Sequence, residues 1–433
     1  MSTGRVKNNR NTIKLSITLV LNGSCTWLII IFAKINIYLL NLLNTFEVII
    51  SNCNFGAMKL AIITSRYPSS DNPYNHMFVH VRALYFKSKG VDVQVFVPSQ
   101  QSTEYDYQGI EVIKDLPDRI IKRLFNYDVY NIHLLNFFPF TDNGGLSIYK
   151  YLKQTKKPIM LGIHGADVFK YPEYLFDFSF TPSGIAKYLY KNYWNYPHIK
   201  NFVKEINQWN NSAVVFPSNW MKHYTEKHFG VNLKNGKVIA NGIDTDLFSY
   251  KNLYENRFKI ITIRPFEKKY GVDQSIEIMK YLPEDFTLDI YGKGKEKKQY
   301  EKLISDYQLN HRVKIHEKFI DRSTMISLFH QYGIFFAFSL FDSQGVSMCE
   351  AMASGLLTIT NDNTALPEFV KDNKTGIAGN DLKEVAQKIT DLVKNENEFT
   401  KITAEARKSM NEIEWTITGK KELDVLTSLV SKK

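Results

Sequence analysis

The sequence has little cysteine: Cys25, Cys53 and Cys349 are the only three in 433 residues. Three thiols cannot build a disulfide framework or a four-cysteine zinc site, and no two stand in a C-x-x-C pair. A reducing cytoplasm is the natural setting. The chain also lacks a Walker A sequence, an H-E-x-x-H pair, an internal repeat and a low-complexity tract. Its histidines are scattered, so no metal site is expected. It has no clean apolar run of the roughly 20 residues that a membrane helix needs. The best window, Trp27 to Phe46, contains Lys34, Asn36, Asn41 and Asn44, and a central lysine costs about 2.5–3.5 kcal/mol on insertion scales. What is present is ordinary for a globular protein, 44% hydrophobic and 23% charged residues, which excludes disordered and collagen-like classes.

The formal charge is +11. Residues 1–57 hold Arg5, Lys7, Arg10, Lys14 and Lys34 against Glu47 alone, so +4 belongs to that segment and +7 to the rest. A basic balance suits an anionic partner, whether nucleic acid, a phosphorylated small molecule or a membrane surface. Segment 1–57 is rich in Ile, Leu and Asn, and a signal peptide fits it poorly because the apolar run lies late. Translation starting at Met58 is the preferred expectation, ahead of a weak membrane anchor and an ordered extension.

From Met58 onward, short apolar strands alternate with amphipathic helices. Strands are predicted over 59–64, 92–97, 128–134, 158–163 and 212–216. A second series covers 259–263, 286–291, 312–316, 333–339 and 356–360. Helices are predicted over 77–89, 218–228, 270–281, 295–307 and 381–394. Repeated βα units imply parallel sheets covered by helices on both faces. The polar stretch 243–258 divides them, which gives an α/β chain of two doubly wound domains facing a cleft. Ligands bind at the carboxyl ends of such strands.

The most informative segment runs from Phe341 to Gly355. It follows an apolar strand, turns at Gly345 and continues as a helix from near Val346. That order aims backbone N–H groups and a positive helix end at the strand's carboxyl end. Asp342 falls in the loop and Glu350 one turn into the helix, where they would accept hydrogen bonds from sugar or ribose hydroxyls. The plainer alternative makes Asp342 a helix cap and Glu350 a surface residue. In a second segment, Arg264 ends a strand and Lys269 precedes a helix. Two cations there suit a diphosphate, Arg as a bidentate fork and Lys as a point charge; taken by itself, this segment fits two solvated cations near Glu267 equally well.

Together these segments resemble the retaining glycosyltransferases of family 4, which have the GT-B fold of two Rossmann-like domains. The variant Asp342-x-Gln-Gly-Val-Ser-Met-Cys-Glu resembles bacterial cell-surface polysaccharide glycosyltransferases. The family's Glu-x7-Glu motif aligns with Asp342 to Glu350, followed by Glu-Ala-Met-Ala-x-Gly at 350–355. Its Gly-Arg-x4-Lys-Gly aligns with 263–269, with Tyr270 intervening before Gly271. Asn241-Gly242-Ile243-Asp244 is similar to the interdomain signature, His164-Gly165-Ala166-Asp167 to the N-domain His-Gly-x-Asp loop, and Trp415 with the last helix to the tail that crosses back.

The resemblance implies an N-terminal acceptor domain at 58–250, a donor domain at 251–412 and a crossing helix at 413–433. It implies that Arg264 and Lys269 bind the donor diphosphate and that Glu350 holds the ribose. Asp342 would contact the sugar, the backbone at Gln344, Gly345 and Val346 would lie beside sugar and phosphate, and His164 would approach the reacting centre. No cofactor and no metal are implied. Three departures stand out: Asp342 replaces Glu, Ile263 replaces Gly, and Asp71–Met77 replaces the usual Gly-Gly loop. His76 and His80 in that region fit a structural role better than a functional one.

The function expected is transfer of a sugar from a UDP- or GDP-sugar to a lipid-linked or oligosaccharide acceptor in cell-surface polysaccharide synthesis. A sugar-nucleotide epimerase of the same fold is the alternative; a basic membrane- or nucleic-acid-binding module is weaker, and nucleic acid is the least expected partner. Residues 185–209 interleave aromatics with Lys187, Lys191, Lys200 and Lys204, against Glu205 alone. That composition suits an anionic membrane surface or, equally, a packed helical insertion. The first option would place the enzyme peripherally on the inner face of the cell membrane. Gly292-Lys293-Gly294 lacks dinucleotide-fingerprint spacing and is expected to be a strand-end turn.

Overall fold

Runs of β-branched and aromatic residues form fourteen strands in two sheets among the described residues. A computed structural model describes residues 58–73, 75–137, 144–171 and 178–431; the expectations for 1–57 lie outside them. The first sheet contains β1 (Lys59–Thr64), β2 (Asp92–Pro98), β3 (Thr103–Tyr107), β4 (Ile110–Asp115), β5 (Val129–His133), β6 (Ile159–Gly162), β7 (Ser212–Phe216) and β8 (Gly236–Val238), in the order β3-β4-β2-β1-β5-β6-β7-β8. The second contains β9 (Lys259–Ile263), β10 (Thr287–Tyr291), β11 (Val313–His316), β12 (Ile334–Ala337), β13 (Leu357–Thr360) and β14 (Ile377–Ala378), in the order β11-β10-β9-β12-β13-β14.

Every pairing is parallel except β3 with β4. That antiparallel edge is a hairpin the periodicity did not predict. Its two-residue turn is Gln108-Gly109, both at positive φ (51° and 85°), a geometry more often signalled by Asn-Gly.

Burial on both faces explains the near-continuous apolar strands. In β1, Ala61 and Ile63 enter one core with Tyr130 and Ile132, while Leu60 and Ile62 enter another with Val95 and Val97. In the second sheet, Ile260 and Phe336 face one core, and Ile261 and Phe335 the other. The final helix, Trp415–Val430, places Leu426 and Leu429 in the β1 core with Leu60 and Ile62. Its start is tied to the connection between sheets: Ile243 N–H donates to Ile413 O and Trp415 N–H to Ile243 O, both at 3.0 Å.

The helix predicted over 270–281 is broken into a 3-10 turn at Lys268–Tyr270, a helix at Val272–Glu277 and a second 3-10 turn at Ile278–Lys280. The turn presents Lys269 and Tyr270 at the carboxyl end of β9.

Candidate active site

Strand β9 delivers Arg264 to the cleft, and the 3-10 turn delivers Lys269. Arg264 is 5% exposed. Its Nη1 donates to Ser347 Oγ at 2.8 Å, but its Nε and Nη2 are buried and have no partner among the described residues. Tyr270 underlies both cations: the Arg264 guanidinium carbon lies 5.8 Å from its ring centre and Lys269 Nζ 4.9 Å. Lys269 also pairs with Glu267 at 2.9 Å. Gly271 closes the turn at φ +60°, where a Cβ would come within 1.8 Å of Phe338 O. Only glycine allows that approach, which keeps the cation turn against β12. The Gly292-Lys293-Gly294 turn supports the same loop, with Phe266 N–H donating to Lys293 O at 2.9 Å.

The helix Val346–Ser354 begins after Gly345, which has φ +78°. Asp342 braces the loop that leads into this helix. Its Oδ1 accepts from Gln344 N–H at 3.1 Å and Gly345 N–H at 2.7 Å. These two N–H groups were expected beside the donor; here the short Asp side chain satisfies them from two and three residues upstream. Gln344 is directed elsewhere as well. Its Oε1 accepts from Asn241 N and Nδ2 at 2.7 and 2.8 Å, and its Nε2 donates to Asn241 O at 2.9 Å.

Glu350 is buried rather than superficial, at 8% exposure. Burial pushes its carboxyl up to about 7; Arg322 and Arg264 oppose the shift and Asp244 adds to it. Its partner is a residue the sequence reading missed, Arg322, with Nη2 3.5 Å from Glu350 Oε1. Arg322 opens the helix Arg322–Phe329, whose cap is the Asp321 carboxylate, and its guanidinium lies over Phe248 at 5.3 Å. A cap followed by a cation is a local signal; contact with Glu350 is not. Both residues line a cavity of 510 Å³ that also borders Phe78, Tyr85, Met325 and Trp415. Val346 lines it too.

His164 comes from the opposite sheet. Its backbone carbonyl accepts from Ser343 Oγ at 2.9 Å, which joins the two loops. Its Nε2 faces His133 Nδ1 at 2.9 Å. Burial, and then Arg82 and His76, hold its pKa well below the usual histidine range, so the ring is neutral. Asp167 receives Gly165 N–H at 2.8 Å and shapes this loop. His80 is engaged on both nitrogens, by Tyr67 and Gln108, and His76 contacts Thr64, so both have structural partners.

A second interdomain contact was also missed. The Glu368 carboxylate accepts from Asn219 N and Nδ2 at 2.9 and 3.0 Å and from Trp220 N at 2.5 Å, at the start of the helix Asn219–Phe229. Beside it Phe341 packs edge-on against Phe169 at 4.0 Å and Trp220 at 5.3 Å.

Segment 185–209 spans three helical elements, with a π-helix over Tyr190–Asn195 between two α-helices. The helix Tyr196–Ile206 buries Ile199, Phe202, Val203 and Ile206. The helix Pro182–Leu189 buries nothing; Phe180, Ile185, Leu189 and Tyr193 are exposed by 91%, 45%, 51% and 68%. Among the described residues, no helix is long and apolar enough to cross a membrane. Also among them, no group of three or more His, Cys, Asp or Glu is placed to hold a metal ion.

Two family models match the chain in succession: Glycosyltransferase Family 4 over residues 77–247 and Glycosyl transferases group 1 over 244–409. Solved structures share the whole arrangement. A glycosyltransferase from Rickettsia africae is 16% identical, covers 88% of this chain and 100% of its own, and superposes with a TM-score of 0.64. Anabaena HepE, solved with UDP and glucose, gives 15%, 86%, 100% and 0.64. Sucrose-phosphate synthase from Thermosynechococcus elongatus gives 14%, 87%, 100% and 0.68. A search of curated proteins found no match. At these identities the likeness establishes the fold.

Proposed function

The chain is a glycosyltransferase of the GT-B fold, and from that premise we propose that it moves a sugar from a UDP- or GDP-sugar to a glycan acceptor with retention at the anomeric carbon. The carrying observation is Arg264: a nearly buried guanidinium with two unpartnered nitrogens beside Lys269. A buried cation left unpaired costs several kcal/mol, roughly the penalty an anionic ligand removes. The donor diphosphate supplies that anion. Arg264 grips it, and Lys269 stabilises the charge that grows as the nucleotide leaves. Glu350 accepts the ribose hydroxyls, and the 510 Å³ cavity beside it takes the nucleoside.

Asp342 braces the loop through Oδ1, and its Oδ2 is the atom we assign to the sugar. His164, neutral and joined to Ser343, borders the reacting centre. Attack on the same face as the departing diphosphate requires no enzymic nucleophile. UDP is the first nucleotide to test, because the Anabaena protein was solved with it. Calorimetric titration of UDP and GDP against wild type and Arg264→Ala tests the site. The expected result is micromolar binding of one nucleotide, lost in the variant.

The acceptor is proposed to be lipid-linked, in cell-surface polysaccharide synthesis. The exposed Phe180, Ile185, Leu189 and Tyr193 support this, as does the excess of Lys over Glu in 185–209. The one acid there, Glu205, is paired with Lys153 at 2.5 Å. Flotation with anionic liposomes should fall when Ile185 and Leu189 are changed to Ser and when Lys187, Lys191, Lys200 and Lys204 are changed to Gln. Equal flotation of all proteins contradicts the membrane surface.

A further inference from the structure

Four buried polar side chains from four separate segments meet where the sheets join. Arg82 lies on the helix Met77–Ser88, Asn241 on the connection between β8 and β9, Gln344 in the donor loop and Glu422 on the final helix. Their exposures are 8%, 7%, 1% and 2%. Arg82 Nε donates to both Glu422 oxygens at 2.9 Å, Nη1 to Phe78 O at 2.9 Å and Nη2 to Asn241 Oδ1 at 3.0 Å. Asn241 in turn makes three further hydrogen bonds with Gln344. Gln344 N–H donates to Asp342 Oδ1, so the chain of contacts ends on the loop that starts the Glu350 helix.

The arrangement is more specific than a packed core requires. Each member has its partner fixed by the next, and a fully satisfied buried network selects one geometry. The planar guanidinium reaches acceptors on three residues at once; a lysine ammonium, a point charge, does not reproduce that fork. Arg82, Asn241 and Glu422 also line the cavity that Glu350 borders.

We propose that Glu422, Arg82, Asn241 and Gln344 form a relay that positions the donor loop Asp342–Val346 against the first domain, so that Arg82 and Glu422 are positioning residues for transfer although neither lies in the loop. Its consequence for turnover rests on the donor-site assignment above. Its effect on the loop does not.

Hydrogen exchange on the full chain tests the relay independently of activity, since local opening is read peptide by peptide. Arg82→Lys and, separately, Asn241→Asp are expected to speed exchange in peptides spanning 341–346 by tenfold or more. Peptides from β9, 259–263, should stay at the wild-type rate. Unchanged loop exchange in both variants overturns the relay. An equal rise in β9 overturns it too, because the variants then loosen the whole fold. In turnover assays, Arg82→Lys should lower kcat about tenfold with little change in donor KM, and Gln344→Glu added to it should cost less than the two single effects multiplied. A wild-type chain that binds no nucleotide would refute the donor site and leave the exchange result to decide the relay.

Discussion

Arg322 Nη2 lies 3.5 Å from Glu350 Oε1, and the carboxyl is nevertheless pushed up to about 7. Desolvation outweighs the attraction because the pair is long and the helix Val346–Ser354 is buried at this turn. The ionised carboxylate is the better acceptor for ribose hydroxyls. Nucleotide affinity should therefore rise with pH through 7 and level off near 8, with binding at pH 6 roughly tenfold weaker if only the ionised form binds. Glu350→Gln should flatten the curve, and Glu350→Ala should weaken binding by about 1.5–3 kcal/mol at pH 8. Calorimetry across that range checks all three.

The same shift acts on folding in the opposite sense. An acid with a higher pKa folded than unfolded favours folding fully below its unfolded value, 4.5 here, and that contribution is lost as pH rises through about 7. Relative to wild type, Glu350→Gln should gain stability between pH 5 and 8, by up to about 3 kcal/mol. Paired thermal melts at the two pH values measure it.

Arg322 should be visible through Glu350. It is the largest influence holding the carboxyl down, so Arg322→Met should move the midpoint of the nucleotide-binding pH curve upward. An unmoved midpoint would separate the two residues.

Lys269 is placed to act on leaving-group charge, which is greatest in the transition state. Lys269→Ala should lower kcat by about 10²–10³ while weakening nucleotide binding only several-fold. Full turnover in the variant would reject the role.

Gly271→Ala should be among the more damaging small substitutions. Its φ is +60° and its Cβ would meet Phe338 O at 1.8 Å. The backbone must shift, at a cost of about 2–4 kcal/mol, read as a lower thermal midpoint and weaker nucleotide binding together.

Much of the architecture was legible because its signals are local. The runs at 59–64, 212–216 and 259–263 became β1, β7 and β9 without a shifted residue, since a strand buried on both faces is a continuous apolar run. The β3–β4 hairpin was not legible, because Gln108-Gly109 is a weak turn signal. At the proposed site, the positions of Arg264 after a strand, Lys269 before a helix and Glu350 one turn into a helix were readable from the sequence. The hydrogen-bond partners of Gln344 and Asp342 were not. A loop that enters a helix through a positive-φ glycine exposes N–H groups, and whether a ligand or a neighbouring carboxylate satisfies them depends on three-dimensional reach. Arg322 with Glu350, Glu368 with Asn219, and Arg82 with Glu422, 340 residues apart, are tertiary contacts with no local signature.

Arg264, Lys269 and Glu350 are proposed to form one nucleotide-sugar site. The most direct measurement is calorimetric titration of the wild-type chain with UDP and with GDP, repeated on Arg264→Ala and Glu350→Ala. One nucleotide should bind wild type in the micromolar range, and each substitution should weaken it tenfold or more. Binding of neither nucleotide, or binding indifferent to both substitutions, would contradict the proposed site.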